Sequence, residues 1–404
     1  MPDIGFRIGI FFSNSQLQFM KVIFFANTDW YLYNFRIDLA SFLREQGAEV
    51  IMMSPHGEYG SRIENEGFRW IPLPMDRRSL NPLREIRLLR YICSIYKKEQ
   101  PDVVHNFTIK SVVYGALAAQ AAGIQNRIHA VTGLGHVFIS QSLRARILRP
   151  LVKGLLRQAL RGKRSRLILQ NPDDKRLFLA HKLTVPERIY LIRGSGVDVE
   201  RFAPVQRGRV HKGRGKFRVL LAARLLWEKG IREYANAAEL LSHRFNELEF
   251  LLAGTADLGN PSAVPEQEIK RWQEAGLLTV LGHVENMQQL MTTVDLMVLP
   301  SWREGTPRGL LEAASMALPI ITTDAPGCRE IVENEKNGFL VPVEDAVALA
   351  KKIEYLLDHP EARLRFGKAG REKVCKEFDQ EIVFRQTWEV YRSLGILNKS
   401  IRGG

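Results

Sequence analysis

From Met20 onward, short apolar runs alternate with amphipathic stretches. Residues 21–27, 49–54, 102–106, 127–132, 167–170 and 189–192 read as strands, with helical periodicity between them at 32–45, 83–99 and 110–122. Alternating β and α units of this length predict a parallel, doubly wound sheet. The stretch 205–216 is rich in Gly and basic residues and poor in apolar ones, which marks a linker. The pattern then restarts. Strands are expected at 217–222, 249–253, 278–281, 296–299, 320–323 and 339–341, and helices at 231–242, 310–316 and 347–357. The chain therefore reads as α/β, with two Rossmann-like halves over 20–204 and 217–382. No sequence repeat links them, so their similarity is architectural. Ligands of open α/β sheets sit beyond the carboxyl ends of the strands, so the cleft between two such domains is the expected site.

Composition narrows this picture. At 404 residues, with 45% hydrophobic and 25% charged residues, the chain has ordinary globular composition. No run reaches the roughly 18–20 apolar residues of a membrane-spanning helix. Residues 1–19 lack a basic leader and a small-residue cleavage site, and Met20-Lys21-Val22 looks like a natural beginning. A chain starting at Met20 is therefore expected to fold and stay active. The three cysteines, Cys93, Cys328 and Cys375, show no ligand or disulfide spacing. The net charge of +14 implies an anionic partner. It is unevenly spread: residues 1–205 carry 30 Lys and Arg against 17 Asp and Glu, a net +13, and the remainder only +1.

The clearest chemistry lies in Ser301-Trp302-Arg303-Glu304-Gly305-Thr306-Pro307-Arg308-Gly309-Leu310-Leu311-Glu312, just after a predicted strand. Thr306 reads as an N-cap and Pro307 as the first helical residue. The amides of Arg308 and Gly309 then open the helix, where the dipole favours a phosphate. Glu312 falls one turn deeper on the face of Arg308, where a carboxylate suits a ribose diol. Glu304 falls at the strand end, in the expected cleft. The bland alternative is an N-cap with two solvated glutamates. A second loop, Ala222-Ala223-Arg224-Leu225-Leu226-Trp227-Glu228-Lys229-Gly230, places Arg224 and Lys229 between a strand and a helix. Two fixed cations there suit a diphosphate leaving group, although an exposed basic loop reads equally well. No Asp-x-Asp stands at a convincing strand end, and the nine histidines do not cluster at ligand spacing, so no metal site is expected. His136, in a Gly-rich loop, is either an active-site group or an ordinary loop histidine.

Together these features resemble the retaining nucleotide-sugar glycosyltransferases of family 4, which have the GT-B fold of two Rossmann-like domains facing across a cleft. The resemblance rests on Glu304 with Glu312, Arg224 with Lys229, Pro326-Gly327-Cys328-Arg329-Glu330, Asn337-Gly338-Phe339-Leu340-Val341-Pro342 and the loop 194–198. In the first half, Asn27-Thr28-Asp29-Trp30 with Tyr33 and Arg36, His105-Asn106-Phe107-Thr108-Ile109-Lys110, Val131-Thr132-Gly133-Leu134-Gly135 and Gln170-Asn171-Pro172-Asp173-Asp174 look like one bacterial branch. That branch adds N-acetylhexosamines to polyprenyl-diphosphate-linked glycans in surface-polysaccharide assembly. The resemblance implies that Glu304 contacts donor sugar hydroxyls, Glu312 contacts the ribose, and Arg224 and Lys229 hold the diphosphate. Thr306, Arg308, Gly309 and Leu310 would line the donor site, and Lys110, Thr132, Gly133, Gly135 and His136 the acceptor. It also implies a metal-independent reaction and a C-terminal helix and tail, 383–404, crossing back to the first domain. The sequence departs from the family in lacking a Gly-Gly loop after the first strand, and Pro307 carries no amide proton to offer a phosphate.

Residues 142–166 hold nine basic residues and no acid: Arg144, Arg146, Arg149, Lys153, Arg157, Arg161, Lys163, Arg164 and Arg166. Apolar positions recur there every four residues, giving one helical stripe. A basic amphipathic helix of this kind reads as peripheral contact with an anionic membrane, or as a core-facing helix with a solvated rim. Arg77, Arg78, Arg84, Arg87 and Arg90 add a second basic patch. The expected reaction is retaining transfer from a UDP-sugar to a lipid-linked glycan at the inner face of the plasma membrane. A sugar-nucleotide epimerase or hydrolase on the same fold is the enzyme alternative. A basic nucleic-acid-binding protein is the non-enzyme alternative, although no nucleic-acid motif appears.

Overall fold

The computed structural model describes residues 20–76, 79, 81–133, 143–204, 216–257 and 259–396, with backbone alone at 143–147. The extension 1–19, the linker core 205–215 and the candidates Gly135 and His136 lie outside the described residues.

The chain divides into two units. One holds the chain up to Leu169, then Asp174–Leu191 and the segment from Phe384 onward; the other holds Gln170–Asp173 and Ile192–Val383. The first unit carries seven strands: β1 Lys21–Phe25, β2 Glu49–Pro55, β3 Arg69–Leu73, β4 Val103–Phe107, β5 Arg127–Val131, β6 Ser165–Leu169 and β7 Ile189–Leu191. Its helices are α1 Asp29–Glu45, α2 Gly60–Asn65, α3 Pro82–Glu99, α4 Ile109–Ala121, α5 Leu143–Ala159 and α6 Pro172–Ala180. The strands pair in parallel in the order β3-β2-β1-β4-β5-β6-β7. Sequence pattern alone does not find β3, because Pro72 interrupts it. The strand lies at the sheet edge, where a missing N–H breaks no ladder on its open side.

The second unit contains β8 Phe217–Ala222, β9 Leu248–Ala253, β10 Thr279–Gly282, β11 Leu296–Leu299, β12 Ile320–Thr323 and β13 Phe339–Val341. The helices α7 Ile231–Ser242, α8 Glu266–Glu274, α9 Met287–Thr292, α10 Arg308–Ser315, α11 Ala346–Asp358 and α12 Pro360–Glu377 accompany them, and α13 Gln380–Arg392 follows. The order β10-β9-β8-β11-β12-β13 repeats the doubly wound scheme. Both faces of this sheet are buried. Val219 and Leu221 face one apolar cluster, Leu220 and Met297 the other. Burying each such side chain stabilises the fold by roughly 1.5–3 kcal/mol. Tyr234 of α7 sends its hydroxyl to Val219 O and Leu251 O at 2.8 and 3.0 Å, so a buried polar group is satisfied by the strands it covers.

The expected boundary at 204 shifts. Residues 192–204 group with the second unit because Val197, Val199 and Phe202 bury in its core. There Val197 N–H donates to Phe378 O and Gln380 N–H to Val197 O, both at 3.0 Å.

Candidate functional site

In the second sheet the strand order reverses between β8 and β11, so the loops after these two strands flank the topological switch point. They hold the two motifs singled out from sequence. Gly230, at the end of the β8 loop, has φ +73°, and a Cβ there would stand 2.1 Å from Pro300 O. Only glycine lets the loops approach this closely. The approach is stitched by Glu228 O, which accepts from Ser301 Oγ and from Trp302 N–H, each at 2.9 Å. It brings two mostly buried charges together: Lys229 Nζ lies 2.5 Å from Glu304 Oε1.

The backbone of Glu304 is also fixed. Its N–H donates to Pro326 O at 2.9 Å. Gly327, with φ +86°, packs so tightly that a Cβ would sit 2.6 Å from both Glu304 O and Gly305 O. Cys328 follows it, fully buried. Burial, with Glu304 nearby, pushes its thiol up to about 12, which disfavours the thiolate at neutral pH.

The helix after this loop begins one residue later than expected. Pro307, with ψ 111°, is the N-cap, and α10 starts at Arg308. Pro307 O accepts from Leu310 and Leu311 at 3.1 and 3.3 Å. Thr306 therefore caps nothing with its side chain; its buried hydroxyl has no partner among the described residues. Leu310, expected to line the donor site, has its amide bonded to Pro307 O and its side chain buried in the core. Arg308 and Gly309 open the helix, as the amides of a first turn must. One turn on, Arg308 Nε donates to Glu312 Oε1 at 2.9 Å, which is the face-sharing expected of positions four apart. Burial pushes the Glu312 carboxyl up, and Arg308 pulls it the other way.

Arg224 is the most exposed of these groups. Its Nη1 lies 3.0 Å from Asp257 Oδ2, a partner from the segment after β9 that sequence reasoning missed. Among the described residues, the loops after β8 and β11 and the head of α10 thus carry the ion pairs Arg224 with Asp257, Lys229 with Glu304 and Arg308 with Glu312. Arg224 and Lys229, expected as two fixed cations on one loop, are each fixed by a carboxylate. A diphosphate approaching here would meet cations already oriented by carboxylates.

In the first unit, Thr132 and Gly133 follow the end of β5 and are half-buried. Lys110, on α4, has its ammonium taken up by Asp76 O at 2.7 Å, Ser79 O at 3.2 Å and Glu85 Oε1 at 3.3 Å. Its charge therefore ties α4 to the segment before α3 and to the first turn of α3. The helix α5 splits its apolar stripe. Leu156 and Ala159 are buried and Val152 packs against the same core, whereas Leu151 is 60% exposed and Leu155 38%. Lys153 Nζ lies 3.3 Å from His181 Nδ1, and Arg157 donates to the carbonyls of His181 and Lys182.

Two family models match the chain. Residues 204–373 match "Glycosyl transferases group 1", and residues 21–170 match "Glycosyl transferase 4-like". The chain is 26% identical over 380 residues to the N,N'-diacetylbacillosaminyl-diphospho-undecaprenol alpha-1,3-N-acetylgalactosaminyltransferase of Campylobacter jejuni, covering 92% of this chain and 98% of that protein. It is 27% identical over 310 residues to the UDP-Gal:alpha-D-GlcNAc-diphosphoundecaprenol alpha-1,3-galactosyltransferase of Escherichia coli, covering 75% and 78%. Among solved structures, Anabaena Alr3699/HepE in complex with UDP and glucose superposes with a TM-score of 0.75 at 20% identity, covering 93% of this chain and all of that one. Sucrose-phosphate synthase from Thermosynechococcus elongatus reaches the same TM-score at 21% identity, covering 93% and 99%. With both halves matched and the doubly wound sheet order seen twice, the chain belongs to the family 4-like glycosyltransferases of the GT-B fold.

Proposed function

We propose that this glycosyltransferase moves a sugar, an N-acetylhexosamine, from a UDP-sugar to a polyprenyl-diphosphate-linked glycan in surface-polysaccharide assembly, with retention of configuration. The observation that carries this reading is that the Arg308–Glu312 pair at the head of α10 and the Lys229–Glu304 pair both stand on segments that follow the neighbouring strands β8 and β11. Together they offer carboxylates for hydroxyls and cations for a diphosphate on one side of one sheet. The names of the Campylobacter and Escherichia relatives support a lipid-linked acceptor.

On this reading Glu312 accepts from the ribose hydroxyls, and the opening amides of α10 face a phosphate. Glu304 accepts from hydroxyls of the donor sugar. As the bond from the anomeric carbon to the diphosphate oxygen breaks, both its electrons go to that oxygen, and Arg224 and Lys229 stabilise the charge that develops there. The acceptor oxygen bonds to the same face of the anomeric carbon, and its proton passes to the departing diphosphate. These cations take the electrostatic part that a divalent ion plays elsewhere, so no metal is required. The first unit, with its excess of basic residues, takes the lipid-linked acceptor at the cytoplasmic face of the membrane.

A panel of UDP-sugars, including UDP-N-acetylglucosamine, UDP-N-acetylgalactosamine, UDP-galactose and UDP-glucose, incubated with undecaprenyl-diphosphate-linked sugar, tests this. UDP release that depends on the acceptor and survives excess EDTA supports it. UDP-sugar consumption without acceptor points to an epimerase or hydrolase, and no consumption at all overturns the proposal.

A further inference from the structure

Asn171 is the second residue after β6, in the four-residue segment Gln170–Asp173 that groups with the second unit. It is fully buried. Its Nδ2 lies 3.4 Å from Glu304 O and 3.2 Å from Gly305 O, more than 130 residues away in sequence. These are the same two carbonyls against which Gly327 packs. With the Glu304 amide bonded to Pro326 O, the peptide groups on both sides of the Glu304 Cα are tied down. Only its side-chain torsions are left to choose, and Lys229 selects among them.

A carboxamide suits this place. Its nitrogen carries two protons, one for each carbonyl. Aspartate would set oxygen against oxygen, and alanine would take the donor from one buried and one partly buried carbonyl. We infer that Asn171 is a positioning residue for the transfer reaction, acting through the Glu304–Gly305 backbone to aim the Glu304 carboxylate, and not through contact with substrate. This rests on the role proposed above for Glu304 as the group that meets the donor sugar.

A double-mutant cycle tests it, using the UDP-sugar of the panel that gives the fastest UDP release. Misplacing a reacting group by about 1 Å costs on the order of a hundredfold, so Asn171→Ala should lower kcat roughly ten- to a hundredfold. Its affinity for UDP alone should stay within about twofold, since Asn171 bonds the carbonyls of Glu304 and Gly305, whereas the groups proposed to meet UDP are Arg224, Lys229 and the head of α10. In the Glu304→Gln background, Asn171→Ala should cost nothing further. If both single variants are slow and their losses multiply, Asn171 does not act through Glu304 and the inference falls. If Asn171→Ala lowers the melting temperature but leaves kcat unchanged, its role is structural only and the inference falls likewise. If Glu304→Gln turns over at the wild-type rate, the reading of Glu304 itself has failed, and this inference with it. Should Asn171→Ala not fold, Asn171→Ser, which keeps one donor, carries the same cycle.

Discussion

At the scale of single residues, two glutamates eight apart are held in different ways. Glu312 is buried on a helix beside Arg308, whereas Glu304 is on a loop, anchored by its backbone and paired to Lys229. Removing a charged hydrogen-bond partner costs roughly 1.5–3 kcal/mol, or about ten- to a hundredfold. Glu312→Gln should therefore weaken binding of UDP itself by this factor, as measured by titration calorimetry. Glu304→Gln should leave UDP binding nearly intact and lower turnover if, as proposed, its contacts begin at the sugar. Equal loss of UDP affinity in both variants would refute this division of labour. Arg224, Lys229 and Glu304 stand out in the sequence because each follows a strand and precedes a helix, and Glu312 because it falls four residues after Arg308 on one helix. Asp257 and Asn171 do not, because their contacts join segments far apart in the chain. Thr306 misleads for a local reason: the residue before a proline avoids helical backbone, and here Pro307 itself keeps an extended ψ and takes the cap position.

At the scale of elements, periodicity finds the strands that are buried on both faces, since they read as unbroken apolar runs. It misses β3, whose Pro72 is tolerated only because the strand has one neighbour. It also leaves α5 undecided, because one apolar stripe serves both readings until tertiary packing is known. The structure divides it. Leu156 faces the core, and Leu151 and Leu155 face outward among basic residues. Each basic residue near an anionic surface contributes roughly 1 kcal/mol, weakened by salt. We therefore expect sedimentation with phosphatidylglycerol-rich vesicles at low salt, reduced by high salt and by the double change Leu151→Glu, Leu155→Glu. Lys153 and Arg157 are poorer targets, since they hold the helix to His181 and Lys182. Binding untouched by the leucine changes would show that the helix is a structural element only. No helix among the described residues is long and apolar enough to cross a membrane.

At the scale of the whole molecule, charge and topology divide the labour. Nearly all of the net +14 sits in residues 1–205, whereas the motif-bearing second half is close to neutral. The two-unit organisation was legible from the restart of the β/α pattern. The exact division was not, because Val197, Val199 and Phe202 look like loop residues until the core they enter is seen. The central claim is that a UDP-sugar is transferred with its anomeric configuration kept, by attack on the face the diphosphate leaves. Proton NMR of the glycan formed from an α-linked UDP-sugar measures this directly. An α-configured anomeric signal in the new linkage is the predicted result, and a β-linked product would contradict the account.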